Sequence, residues 1–173
     1  MFRRLFGDRL PPGFSGQLAE DEHVLAVAPI VDGGYLTVTQ LGIWVSEEAA
    51  TRRVGWHLIG KAAWSDGVLT LTECEEIGQA GQASLLRNLA PVSYRLQRAG
   101  KIPLLVRQRV DGSIRARHRQ ELDAGGMWFV QRKIPGVDGV ILQVLADPTV
   151  DPDAVATLAA RASEKLHSAH QPG

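Results

Sequence analysis

The sequence predicts a mainly β fold: an antiparallel barrel or meander with a C-terminal capping α-helix and one short helical insertion. Short apolar or alternating runs recur between turn signals about 8–12 residues apart, the pattern of an antiparallel barrel or sandwich rather than a parallel α/β sheet. The last element has helical spacing instead. Asp151 suits an N-cap, Pro152 the first helical position and Asp153 the helix dipole. Val155, Leu158, Ala159, Ala162 and Leu166 then form one apolar stripe.

The elements follow in order. Residues 1–17 read as an N-terminal arm that mixes Arg3, Arg4 and Arg9 with Phe2, Leu5 and Phe6, closed off by Pro11-Pro12-Gly13. A single domain is expected over 18–168 and a flexible tail over 169–173. Strands are expected over 23–31, 35–38, 43–45, 52–56, 61–64 and 68–72, with Asp32-Gly33-Gly34 and Ser65-Asp66-Gly67 as tight turns. Residues 78–82 form a small polar stretch with weak structure, and 84–89 one or two helical turns. Strand alternation returns over 92–96. Residues 102–112 allow two readings. Ile102, Leu105, Val106 and Val110 have helical spacing, whereas Leu104, Val106 and Val110 share one face of a strand. A helix over 103–111 followed by a strand over 113–121 is the preferred one. Strands over 127–134 and 140–145 precede the helix over 151–168.

Composition narrows the function classes. The chain has 173 residues, with 19 Lys plus Arg against 19 Asp plus Glu, so bulk positive charge does not drive it to nucleic acid or membrane. Its one cysteine, Cys74, excludes an internal disulfide framework and Cys-rich zinc patterns, and fits a reducing cytoplasm. No apolar run is long enough to span a bilayer, and the basic N-terminus lacks the apolar core of a signal peptide.

Several segments resemble bacterial pleckstrin-homology-like (PH-like, GRAM-like) domains. Glu22-His23-Val24-Leu25-Ala26 resembles their "E-x-V-L" opening, and Val38-Thr39-Gln40-Leu41-Gly42-Ile43-Trp44 their turn between the second and third strands. Arg53-Val54-Gly55-Trp56-His57-Leu58-Ile59 is similar to a "basic–I–P–W–x–x–I" strand, with Ile43 and Gly55 as departures. Residues 20–165 also resemble a group of uncharacterised bacterial proteins of this size, through Ala62-Ala63-Trp64 and the segment 102–110. The resemblance implies a barrel closed by the 152–168 helix and a binding or scaffold role. Phosphoinositide binding does not come with it. The first turn, where lipid-binding members carry basic residues, is Val31-Asp32-Gly33-Gly34 here.

No catalytic constellation appears. There is no Gly-x-Ser-x-Gly and no phosphate-cradling Gly-rich loop. Cys74 lies among Glu73, Glu75 and Glu76, which disfavour a thiolate. His167 and His170 stand alone at a chain end without a third metal ligand. No catalytic residue, metal site or cofactor is assigned. Trp44, Trp56, Trp64 and Trp128 each sit in a strand pattern, where core packing is the default and a partner-facing role the alternative.

Charge segregation is the informative pattern. Residues 10–51 carry six acids (Glu20, Asp21, Glu22, Asp32, Glu47, Glu48) and no Lys or Arg. Residues 95–119 carry eight bases and one acid. Arg115, Arg117 and Arg119 alternate along a strand and would share one face. With Arg107 and Arg109 they form the candidate anion or partner face, with Glu20, Asp21 and Glu22 as competing internal partners. The expectation is a non-enzymatic binding or scaffold domain for a protein partner, without nucleic-acid binding. One alternative is peripheral membrane or anionic-lipid association through Phe2, Arg3, Arg4, Leu5 and Phe6 and the basic stretch. Another is a small-molecule-binding enzyme with an unrecognised pocket.

Overall fold

The structure, a computed structural model, describes residues 9–48 and 50–169. It is mainly β, with 49% strand and 21% helix. The elements in order are β1 (Val24–Pro29), β2 (Tyr35–Thr39), β3 (Gly42–Glu47), β4 (Ala50–Gly55), β5 (Ile59–Ser65), β6 (Val68–Ala80), β7 (Ala83–Asn88), β8 (Val92–Arg95), α1 (Ile102–Ser113), β9 (Ile114–Leu122), β10 (Gly125–Arg132), β11 (Ile141–Ala146) and α2 (Pro152–Ala169). Contacts divide the chain into two compact units. One holds residues up to 73 together with 90–112. The other holds 74–89 and the residues from 113 on.

In the first unit β1 to β4 form an antiparallel meander. The first half of β6 pairs with β5 on one side and β8 on the other. The alternation read from the sequence turns Leu36, Val38, Ile43, Val45 and Val54 into one core with Trp56, Ile59, Leu69, Leu71, Tyr94 and Leu96. The β1–β2 turn depends on glycine. Gly34 has φ +85°, and a Cβ there would overlap the Ser46 carbonyl oxygen.

The ambiguous segment 102–112 is helical. Ile102, Val106 and Val110 recur at four-residue spacing and fill the meander's core. The strand reading needed Leu104 on that face, and Leu104 is 59% exposed. The helix packed on the first unit's core is therefore α1.

The opposite face of the meander is crossed by an extended strap, residues 9–22. Phe14 meets the Trp44 ring edge-on at 5.2 Å, and Ser15 bonds to Thr51 at 3.0 Å. Residues 1–8 of the expected arm lie outside the described residues.

The second unit corrects two expectations. Residues 78–82 are not weakly structured, and 84–89 are not helical. β6 runs through to Ala80, turns at Gly81-Gln82 and returns as β7. Pairing decides this. β7 hydrogen-bonds antiparallel to β6 and parallel to β11, which outweighs the helical tendency of Ser84-Leu85-Leu86. That parallel pair is also an exception to the antiparallel pattern. β10 lies between β11 and β9, and β9 ends the sheet. α2 covers this sheet with the stripe read from the sequence. Ala159 is buried with Ala80, Ala83, Met127, Leu142 and Val144, and Val155, Leu158, Ala162 and Leu166 pack around them. The turn is tied to the helix where the Gln82 N–H donates to Ser163 Oγ at 2.9 Å.

Candidate functional site

The first unit carries a groove of about 590 Å3 between β5 and α1. β5 supplies Ala62, Ala63 and Trp64, β6 supplies Leu69, and α1 supplies Pro103, Leu104, Arg107 and Asp111. The geometry follows from the helical register. Seating Ile102, Val106 and Val110 in the core turns Leu104 outward, a half-turn away. Trp64 is 43% exposed, facing the same groove. Two large apolar side chains thus share one concave surface open to water, which marks an interaction site more often than an isolated exposed residue does. At the rim, Arg107 pairs with Asp111 at 3.8 Å across one helical turn. Both side chains are well exposed, so the pair is weak and leaves each free to meet a ligand. Among the described residues β5 pairs only with β6, so past Ile59, whose N–H is taken by the Trp56 carbonyl, its other edge has backbone groups to offer.

Glu22, the buried carboxyl of the first unit, lies outside this groove and is structural. Glu22 accepts from Thr39 Oγ1 at 2.6 Å, Trp44 Nε1 at 2.9 Å, Arg53 at 2.6 Å and the Ala19 N–H at 3.0 Å. Burial raises its pKa, but these bonds and the Arg53 charge outweigh it and hold the carboxyl below its ordinary value. Glu22 is thus fully engaged within the first unit, and it is not a partner for Arg115, Arg117 or Arg119. A second cavity, about 520 Å3, is lined by Asp32, Glu47, Glu48, Arg52 and Tyr94. Its cation is taken: Arg52 makes a two-pronged bond to Glu73 at 2.7 and 2.8 Å. Burial pushes the Tyr94 hydroxyl's pKa up. The mouth beside the β1–β2 turn is therefore acidic, as its sequence implied.

The predicted arginine face is divided. Arg107 and Arg109 lie on α1 in the first unit, and only Arg107 reaches the groove. Arg115, Arg117 and Arg119 lie on β9 in the second. The expectation that these three share one face needs correction. Gln131 pairs with Ala116 and Arg132 with Ile114, so Arg115 is the extra residue of a bulge. Arg117 and Arg119 do share a face, with guanidinium carbons 4.5 and 5.5 Å from the centre of the Trp128 ring. Arg119 is committed to Glu121 at 2.5 Å and Asp147 at 2.9 Å. The candidate arm residues Phe2, Arg3, Arg4, Leu5 and Phe6 lie outside the described residues.

Of the four tryptophans, Trp44 and Trp56 are buried, Trp128 is covered by its two arginines, and Trp64 faces solvent. The alternative of a partner-facing tryptophan thus applies to Trp64. Leu104 was not singled out from the sequence, although its place off the helical stripe of Ile102, Leu105, Val106 and Val110 was a usable signal. Cys74 is buried, with its thiol 3.1 Å from Asn88 Oδ1. Among the described residues no group of three metal-ligating side chains converges, and no helix is long and apolar enough to cross a membrane. Comparison with family models, curated proteins and solved structures returns no match.

Proposed function

We propose that this chain is a non-enzymatic binding module that docks an extended, partly apolar segment of a partner protein along β5, in the groove between β5 and α1. The observation that carries this reading is the joint exposure of Trp64 and Leu104, at 43% and 59%, in one groove beside an open strand edge. A segment adding to β5 gains backbone hydrogen bonds for affinity, while every second side chain enters the groove and supplies selectivity. Tryptophan and leucine placed there offer apolar area to that side chain, and tryptophan is the residue type most often found to dominate such interfaces. Arg107 and Asp111 at the rim give it polar neighbours of both signs. The first unit's order of elements supports the PH-like resemblance: a four-stranded meander, three further strands, then a helix on the core.

The test is selection of a random peptide library displayed on phage against the full chain. Enriched peptides should carry apolar residues at alternate positions. Their binding should fall at least tenfold in Trp64→Ala and in Leu104→Ala. No enrichment, or peptides indifferent to both substitutions, would reject the groove as the site.

A further inference from the structure

We propose that β9 is a second docking edge, for an acidic extended segment of a partner protein, held by cations on both faces of the strand. Among the described residues β9 pairs only with β10, so its outer edge has backbone donors and acceptors to offer another strand. Four consecutive residues, Arg115, Ala116, Arg117 and His118, are exposed, which opens both faces of the strand at that point.

Each face has a cation left over: on the Arg117 face the carboxylates of Glu121 and Asp147 are taken up by Arg119. There Arg117 is held over the Trp128 ring and forms no ion pair among the described residues. On the other, His118 borders a groove of about 580 Å3 between the sheet and α2. Its apolar wall includes Phe129, Leu158 and Leu166, and α2 adds Arg161 and Lys165. Both cations are exposed and unpaired among the described residues, and no carboxylate lines the groove. A strand laid along β9 sends alternate side chains to these two faces. Acidic ones meet Arg117 on one side and Arg161 and Lys165 on the other, while apolar ones reach the groove wall.

Other occupants fit less well. A second copy pairing β9 to β9 sets basic residues against their own kind, which is unfavourable across strands. A nucleic-acid strand needs exposed rings for base stacking, and Trp128 is already covered by Arg117 and Arg119. Charges on an edge strand can also serve only to prevent pairing, and the experiment separates that role from docking. The site shares no residue with the β5–α1 groove and does not depend on it.

The experiment is fluorescence anisotropy on the full chain at low salt, with a labelled octapeptide of the repeat Glu-Glu-Val-Val, which presents Glu and Val in turn on each face of an extended strand, as the probe. Saturable binding is expected. It should weaken at least tenfold in Arg117→Gln, and likewise in the Arg161→Gln/Lys165→Gln double variant. All three positions are exposed, so unchanged thermal midpoints should confirm that the variants fold. N-methylation of alternate peptide amides should weaken binding in one of its two phases. Trp64→Ala and Leu104→Ala should leave it unchanged. Absence of saturable binding, indifference to N-methylation in both phases, or tighter binding of phosphatidylserine vesicles or oligothymidylate than of the peptide would overturn the proposal.

Discussion

Arg53 on β4 donates to the carboxylate of Glu22 across 2.6 Å and thereby fastens the N-terminal strap to the meander. The Glu22 side chain is fully buried, whereas that of Arg53 is 35% exposed. Glu22→Gln keeps the shape and removes the charge. It should lower stability by about 1–2 kcal/mol, the modest figure reflecting an arginine that solvent can still reach. Urea unfolding checks this, and an unchanged midpoint would mean that the strap is not held by this carboxylate.

The same group sets a pH dependence. Its pKa in the folded chain lies below the ordinary carboxylate value. Its contribution is therefore fully present above that ordinary value and is lost as pH falls through the lower, folded one. The difference in urea midpoint between the parent chain and Glu22→Gln should hold steady from neutral pH down to about pH 5 and close below it. A difference that widened in acid would contradict the sign.

Two neighbours on α1 should behave oppositely. Ile102 is fully buried, so Ile102→Ala should cost about 3 kcal/mol. Leu104 is 59% exposed, so Leu104→Ala should cost less than about 0.5 kcal/mol. Chemical denaturation of the pair reads the helical register directly, and equal costs would place it wrongly.

In the second unit, Ser163→Ala removes the acceptor for the Gln82 N–H. The expected loss is about 1 kcal/mol, limited because Gln82 is exposed and water can replace the hydroxyl. Amide exchange at Gln82 should speed up while exchange in the middle of α2 stays the same. Faster exchange along the whole helix would show that the serine does more than tie the turn.

The meander and the β5–β6 hairpin were legible because their strands alternate or turn at a Gly-containing pair, as at Gly33-Gly34 and Asp66-Gly67. The α2 stripe was legible for the same kind of reason, a period of 3.6 sustained from Val155 to Leu166, about three turns. β7 was not. Ser84, Leu85, Leu86 and Arg87 have no strand signature of their own, and β11, which pairs with them, lies far along the chain. The basic stretch was visible as composition. Its division was not, because the α1–β9 junction and the bulge at Arg115 are set by core packing and by the register against β10. The groove needed two facts that no local pattern contains. Trp64 and Leu104 are distant in sequence, and only the seating of Ile102, Val106 and Val110 turns Leu104 towards β5.

Hydrogen exchange of the β5 amides, measured with and without a peptide selected on the full chain, tests the proposed docking most directly. Backbone pairing along the open edge predicts that alternate amides within residues 60–65 become protected on binding, and that Trp64→Ala abolishes the protection at the same peptide concentration. Bound peptide with β5 exchange unchanged, or protection confined to other strands, would contradict it.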